Sequence, residues 1–307
     1  MQSPMRTLRA KRTDWDCVVV GGGPAGLTAA VYLARFRRRV LVIDAGRSRA
    51  RYIPRSHNCP GFAQGVSGNA LLSALRRQAR RYGAVLERGS VETLLRARAG
   101  FSLEGDSAQW QASRVLIATG IVDLVPKIPG LRAAIARGVV RLCPICDGFE
   151  ASGRRIAVYG PPQYASRHAE FLRTYSRHVA VVCSEPGEIA PATARSVREL
   201  GIEVIPVPQR IALDAHGVRI RGSSSERRFD VFYPSMGFEP KCRLAASLGA
   251  EVDADGEIRV DCHLETSVRH LYAAGDAVSG LHQIAVSTGQ AAIAATAIHN
   301  SLAGRRP

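Results

Sequence analysis

Short runs of apolar residues alternate with stretches of helical period along this chain, and the two repeat in a fixed order. Cys17-Val18-Val19-Val20 is apolar at every position, as a strand buried on both faces of a parallel sheet would be. A glycine-rich turn, Gly21 to Gly26, leads into an alanine-rich stretch reaching Arg38 that reads as a helix. A second apolar run, Val40 to Ile43, ends on Asp44. The pattern is β-α-β, about 30 residues long, with an acidic residue closing its second strand. Asn69 to Tyr82 reads as a further helix, Ala84-Val85-Leu86 as a strand, and Val115-Leu116-Ile117-Ala118 as another, ending in Thr119-Gly120. The Pro/Gly-containing stretch Val125 to Gly130 then punctuates the chain and marks a domain crossing.

The same pattern returns after the crossing. Arg155 to Tyr159 with Gly160 after it reads as a strand and turn, Gln163 to Tyr175 as a helix, and Val179 to Cys183 as the next strand. Two such units about 135 residues apart suggest an internal duplication of one nucleotide-binding fold. The second domain closes near Met236-Gly237-Phe238-Glu239-Pro240. The chain then returns, through a strand-like Ile258 to Val260, to Leu271-Tyr272-Ala273-Ala274-Gly275-Asp276 and an alanine-rich last helix. The predicted class is α/β, with two Rossmann-like nucleotide-binding domains, the second inserted in the first. Residues 1–15 form a basic N-terminal extension, 16–122 and 241–307 the outer domain, and 123–240 the inserted domain that carries a Cys-x-x-Cys motif.

Composition narrows the class. At 307 residues, 46% of them hydrophobic and 22% charged, the chain is long enough for two packed domains, and no run approaches the length of a membrane-spanning helix. Met1 to Thr13 is basic, contains Met5, and has neither the apolar stretch nor the cleavage site of a secretory signal, so a cytoplasmic location is expected. The net charge of +16 is almost entirely arginine, since Lys11, Lys127 and Lys241 are the only lysines. These arginines are spread along the chain and no nucleic-acid motif accompanies them, so neither nucleic acid nor membrane is an expected partner, whereas an acidic protein fits the field. Of seven cysteines, Cys17, Cys59, Cys183, Cys242 and Cys262 lack metal-ligand spacing and read as small buried hydrophobes or free thiols. No metal is expected.

Two motifs carry chemistry. In Gly21-x-Gly23-x-x-Gly26 the first glycine permits a tight turn, the second lets backbone approach a pyrophosphate, and the third lets helix and strand pack closely. The helix N-terminus then offers free N–H groups and a positive dipole end to phosphate, and Asp44 is placed to hold a ribose through its hydroxyls. The second motif is Cys143-Pro144-Ile145-Cys146-Asp147. This spacing closes a ring small enough for a reversible disulfide, and Asp147 could shuttle a proton to a thiol. The competing readings are half of a zinc site, for which no second pair of ligands stands at suitable spacing, and two inert buried thiols.

Gly21-Gly22-Gly23-Pro24-Ala25-Gly26, Val115 to Gly120, Cys143-Pro144-Ile145-Cys146-Asp147-Gly148 and Tyr272-Ala273-Ala274-Gly275-Asp276 stand in the order and spacing of bacterial low-molecular-weight thioredoxin reductases. From Asp16 onward the chain resembles that family, which implies two Rossmann-like FAD/NAD(P)-binding domains, 16–122 and 241–307 for FAD and the inserted 123–240 NAD(P)-binding-like. The resemblance implies FAD held by Gly21, Gly23, Pro24, Ala25, Gly26, Asp44, Ala45, Val91, Thr119, Gly120 and Gly275, with Asp276 on the ribityl chain. Asn58, Gln283, Ile284 and Ala285 would lie near the isoalloxazine. It further implies Cys146 as the thiol facing flavin, Cys143 as the thiol attacking substrate, Asp147 as the acid/base, and a homodimer whose partner is a thioredoxin-like protein or a small dithiol or disulfide.

One segment departs from the family pattern. The expected Gly-x-Gly-x-x-Ala reads Gly160-Pro161-Pro162-Gln163-Tyr164-Ala165, and proline adds bulk and removes a donor where backbone must approach a pyrophosphate. Where the family carries a His-Arg-Arg run for the 2′-phosphate of NADPH, this chain reads Cys183-Ser184-Glu185-Pro186-Gly187-Glu188, and a carboxylate there repels phosphate. Use of NADPH or NADH is therefore open, with Arg167, Arg173 and Arg177 as candidate substitutes or simply solvated side chains. His57, Cys59 and His282 read as packing or as proton- and redox-handling groups. The readings that follow are a reductase driven by NADPH or by ferredoxin, an NADPH-independent dithiol oxidase acting on a small molecule, and a non-catalytic flavin-binding redox sensor.

Overall fold

The computed structural model describes residues 14–105, 108–223 and 225–302; most of the basic extension predicted for residues 1–15 lies outside them. The chain divides into two compact units, one formed by 1–51, 69–122 and 240–307, the other by 52–68 and 123–239.

The first unit is built on a seven-stranded sheet. Val85–Arg88, Val40–Asp44, Asp14–Val20 and Ala108–Ile117 follow one another in parallel, and the antiparallel strands Gly100–Gly105 and Thr93–Ala97 complete the row. Ala108–Ile117 is long enough to serve two neighbours on one side. Its first half pairs with Gly100–Gly105 and its second half, Val115 to Ile117, with Leu271–Ala273. Cys17, Val18 and Val19 are fully buried, as an all-apolar strand at the middle of a parallel sheet requires. Helix Pro24–Arg35 starts on proline, whose fixed φ suits a first helical position, and stops before Arg37, which turns left-handed at φ 58°. It therefore ends earlier than the predicted Arg38. It packs against the last helix, Ile284–Ser301, through small residues: Ala29 and Ala30 on one side, Ala291, Ala294 and Ala295 on the other, all fully buried. Alanine is a strong helix former and lets two helices approach closely.

The inserted unit repeats the parallel motif on a smaller scale. Its sheet runs Glu203–Ile205, Val179–Cys183, Ile156–Gly160 and Val231–Pro234, all parallel. Helix Pro162–Leu172 covers it, starting one residue before the predicted helix and ending three residues sooner, because the backbone turns through Arg173 to Ser176. A three-stranded antiparallel sheet, Arg210–Asp214, Gly217–Arg221 and Glu226–Phe229, had no counterpart in the sequence pattern. Nor does Ile258 to Val260 form the expected strand; isolated bridges join Val252 to Ile258, Ile258 to Val278 and Val260 to Thr266 instead. Asp253 and Asp261 explain that difference, since their carboxylates accept from the N–H groups two and four residues on and tie the segment into turns.

Arg38, 8% exposed, ties the two ends of the first unit together. Its Nε donates to His299 Nδ1 at 3.0 Å, and its Nη2 reaches the carbonyls of His299 at 3.1 Å and Leu302 at 3.4 Å. These carbonyls close the last helix, where intrahelical donors run out; that of His299 otherwise accepts the Leu302 N–H at 3.3 Å. Arg38→Ala should lower the stability of this unit by about 2 kcal/mol, read as an earlier urea midpoint. A variant as stable as the parent would show that the clamp is dispensable.

Candidate active site

The glycine turn of the first unit is built by close backbone approach. Gly21, at φ 116°, donates its N–H to the Ile43 carbonyl at 2.9 Å, and a side chain on it would run into the Ala118 carbonyl. A side chain on Gly26 would run into the carbonyl of Gly21, so the helix can start against the strand only without one. Gly23 caps the helix without a side-chain hydrogen bond, and a Cβ there would meet only Ser48 Oγ, at 3.3 Å. Space and unsatisfied helix N–H groups thus lie before Gly23, Pro24 and Ala25, which suits a pyrophosphate.

Asp44 stands at the end of the next strand, its carboxyl against Gly22. It accepts from the Gly46 N–H at 2.7 Å and from Arg76 at 3.1 Å, with Ala45 beside it. Thr119 Oγ1 donates to the Lys241 carbonyl at 2.6 Å and the Gly120 carbonyl accepts from the Lys241 N–H at 2.9 Å, joining the two arms of the unit. Gly275 donates its N–H to Gln290 Oε1 at 2.8 Å, and a Cβ on it would meet Ala25 Cβ at 2.8 Å. Asp276 faces Arg49 and Ser287, each at 3.3 Å. Gln283 caps the last helix, and Ile284 and Ala285 form its first turn; Val91 is buried in the core of the unit. The turn, the acid and the two helix starts therefore share one unit and fit a dinucleotide. Ser48, Arg49, Arg76, Ser287 and Gln290 were not legible in the sequence, because each acts through a partner distant along the chain.

Asn58 is placed elsewhere. It belongs to the segment 52–68 that clusters with the inserted unit, and its Nδ2 donates to the Ile145 carbonyl at 3.5 Å, beside the cysteines. Cys59 is buried, and His57 is exposed with its ring against Gly65. His282 is paired with Glu257.

Cys143 and Cys146 form a disulfide at the start of the single helical turn Pro144–Asp147. The Cys146 N–H points at Cys143 Sγ, 3.2 Å away. The remaining described cysteines are free: Cys17, Cys59 and Cys183 buried, Cys242 half-buried, Cys262 exposed. Gly148 lets the turn pack closely, since a Cβ there would lie 2.6 Å from the Pro144 carbonyl oxygen and 2.7 Å from the Tyr175 ring. Arg141 holds the turn from below, donating to the carbonyls of Asp147 at 2.6 Å, Glu150 at 3.4 Å and Gly138 at 3.1 Å.

The Asp147 carboxyl accepts from the Tyr233 hydroxyl at 2.8 Å. Burial pushes this carboxyl up to about 6, opposed by the Arg141 charge and the Tyr233 hydrogen bond. Tyr233 is itself fully buried, and burial together with the neighbouring carboxylate pushes its phenol well above the usual range. A buried hydroxyl without a partner costs roughly 1–3 kcal/mol, so this bond also serves the strand that carries it. Tyr233 and Arg141 were both missed in the sequence, where they read as core and surface residues.

The second glycine turn is closed by its own side chains. Pro161 and Pro162 occupy the cap and first helical positions, so the first donors of the helix are missing. Gln163 spans the turn, its Nε2 donating to Thr193 Oγ1 at 3.1 Å and its Oε1 accepting from the Ala190 N–H at 2.7 Å. Gly187 lies over Pro162, where a Cβ would meet the ring at 3.4 Å. Arg173 is used internally, donating to the carbonyls of Leu200 at 2.9 Å and Ser176 at 2.8 Å, while Arg167 and Arg177 are exposed. Glu185 and Glu188 are exposed where a 2′-phosphate grip would stand. These residues do not make a pyrophosphate cradle. Among the described residues no group of His, Cys, Asp and Glu could hold a metal ion, and no helix is long and apolar enough to cross a membrane.

A dinucleotide turn in one unit and an acid-flanked disulfide in a second Rossmann-like unit define a flavoprotein disulfide oxidoreductase. The pyridine nucleotide-disulphide oxidoreductase family matches residues 15–292, and the chain belongs to that family as a divergent member of the low-molecular-weight thioredoxin reductase type. It is 29% identical over 305 residues to the bifunctional thioredoxin reductase/thioredoxin of Mycobacterium leprae, covering 94% of this chain and 66% of that one. It is 28% identical to the thioredoxin reductase of Mycolicibacterium smegmatis, over 94% of this chain and 96% of the relative. Among solved structures, HlmI superposes with a TM-score of 0.86 at 29% identity, over 95% of this chain and 93% of that one. The Streptococcus pyogenes thioredoxin reductase gives 0.87 at 25%, over 93% and 97%. The family uses FAD and a nicotinamide cofactor.

The raised carboxyl makes stability depend on pH. The folded protein holds the Asp147 proton up to about pH 6, while the unfolded chain releases it near the ordinary carboxylate value. Stability from this group is therefore full at low pH and falls as the pH rises through that window. Asp147→Asn, uncharged throughout, should unfold later than the parent at about pH 8, by on the order of 2 kcal/mol. Most of that difference should vanish at about pH 4. An equal gap at both pH values would mean that the carboxyl carries no buried charge.

Proposed function

We propose that the chain exchanges two electrons with an external disulfide or dithiol through Cys143 and Cys146, using FAD bound at the first glycine turn. The observation that carries this reading is the Cys143–Cys146 disulfide with the Asp147 carboxyl in the same helical turn, half-buried and hydrogen-bonded to Tyr233. FAD, when bound, supplies the two-electron carrier that loads or unloads this dithiol. Gly21, Gly23, Pro24, Ala25 and Gly26 would face its pyrophosphate, Asp44 its ribose and Asp276 its ribityl chain. Ala45, Val91, Thr119, Gly120 and Gly275 would line it, and Gln283, Ile284 and Ala285 would approach its ring.

In the reducing direction the Cys143 thiolate attacks one sulfur of a substrate disulfide and a mixed disulfide forms. The N–H of Cys146 aimed at Cys143 Sγ favours that thiolate. Asp147 gives its proton to the departing substrate sulfur. It then takes the proton of Cys146, which attacks Cys143 Sγ, restores the ring and releases the second substrate sulfur as a thiolate. The oxidising direction runs the same steps in reverse.

The names of the relatives support a thioredoxin-like protein as substrate, and family resemblance supports a cytoplasmic homodimer. The second turn supports another reading. Pro161, Pro162 and the Gln163 clamp leave no cradle for a nicotinamide nucleotide, which favours a dithiol oxidase or a ferredoxin-driven reductase over the NADPH enzyme.

Anaerobic flavin absorbance of the purified protein, titrated in turn with NADPH, NADH and dithiothreitol, separates these readings. Dithiothreitol should bleach the flavin, and Cys146→Ser should abolish that bleaching. Micromolar NADPH and NADH should leave it unchanged. Bleaching by NADPH would return the nicotinamide to the second turn, and a flavin untouched by dithiothreitol would overturn the exchange mechanism.

A further inference from the structure

Tyr233 lies on the strand Val231–Pro234, opposite Val158 of the neighbouring parallel strand, and is fully buried. Its ring belongs to a core with Ile156, Val158, Ala165 and Ala169, a setting in which phenylalanine would pack equally well. The hydroxyl therefore needs its own explanation. It donates to Asp147 Oδ1 at 2.8 Å and lies 3.2 Å from the Asp147 carbonyl oxygen. Arg141 and Glu150 are the other charged groups that act on Asp147, and neither is hydrogen-bonded to the carboxyl. Arg141 donates to main-chain carbonyls and also hydrogen-bonds the Tyr233 hydroxyl. Among the described residues Tyr233 is thus the one side chain hydrogen-bonded to this carboxyl, and it binds only one of the two oxygens.

We propose that Tyr233 is a positioning residue for thiol/disulfide exchange, pinning Asp147 through Oδ1 so that Oδ2 trades the proton with the cysteine pair. The inference rests on the acid/base part assigned to Asp147 in the proposed function. A phenol that donates to a carboxylate favours its ionised form, whereas burial favours the neutral one, and the two together set the pH at which Asp147 can both give and take a proton. Without the hydroxyl, the Arg141 charge is left to oppose burial, and the carboxyl holds its proton to higher pH. The carboxyl is also freed to rotate.

The test uses full-length holoprotein in the parent, Tyr233→Phe and Asp147→Asn forms, from about pH 5 to about pH 9. Two quantities are read: turnover of a dithiol such as dithiothreitol, and the rate at which iodoacetamide alkylates Cys143 in the reduced protein. The parent should show an inflection near the Asp147 value in both profiles, and Tyr233→Phe should move it up by about one unit, a tenfold loss of carboxylate below it. Incorporating 3-fluorotyrosine at position 233, a stronger donor with the same ring, should move it down, and it serves if the phenylalanine variant folds poorly. Should Asp147→Asn keep the inflection, the acid/base reading itself fails. If Asp147→Asn loses it while neither Tyr233 variant moves it, the acid/base reading stands and the positioning inference is wrong.

Discussion

A half-buried carboxyl beside a disulfide is the constraint around which the inserted unit is arranged. A carboxylate partly withdrawn from water is costly without hydrogen-bond partners, and a permanently protonated one could not cycle. The chain meets both demands with neighbours drawn from separate elements. Tyr233 comes from the last strand of the small parallel sheet, Arg141 from the segment before the cysteines, and the turn they steady contains the cysteines themselves. The strand order of the small parallel sheet places Val231–Pro234 beside Ile156–Gly160, and so decides that a tyrosine at 233 stands under the helical turn rather than elsewhere.

The two glycine turns offer a comparison within one chain. Both follow a buried strand and open a helix that starts on proline. In the first, the residues ahead of the helix are glycines, and a Cβ on Gly23 would meet only Ser48 Oγ. In the second, a proline precedes the helix as its cap, and a glutamine side chain supplies, through Thr193 and Ala190, the hydrogen bonds that a ligand would otherwise make. The topology is kept while the surface that recognises a phosphate is replaced by one that satisfies itself. A family model still matches across both units, because buried apolar strands and turns dominate such a match.

Much of this architecture was legible in the chain because it rests on local signals. Cys17 to Val20, Val40 to Ile43 and Val179 to Cys183 are apolar at successive positions, as parallel strands buried on both faces require. The Cys-x-x-Cys-Asp sequence announces its own chemistry. The antiparallel sheet from Arg210 to Phe229 was silent because its exposed face is arginine-rich and its strands are short, so alternation hardly rises above a charged loop. Tyr233 and Arg141 were silent for another reason. One sits in a run that looks like pure core and the other looks like one arginine among many, and their meaning arises only when a carboxyl 86 or 6 residues away is folded against them.

The clamp from Arg38 to the last helix carries a consequence for how the molecule is made. It joins positions 261 residues apart, and the neighbouring strand Leu271–Ala273 pairs with a strand that ends at Ile117. Closing contacts of such range is slow, and on a ribosome it must wait until nearly the whole chain has emerged. The inserted unit needs nothing beyond residue 239. It can therefore acquire its sheet and its cysteine turn while the first unit is still an incomplete sheet without its last strand and helix. The thiols would then be in place before the dinucleotide turn has a finished scaffold, so flavin capture becomes the closing event of biosynthesis, and a chain truncated within its last helix would carry a formed dithiol with nothing to recharge it.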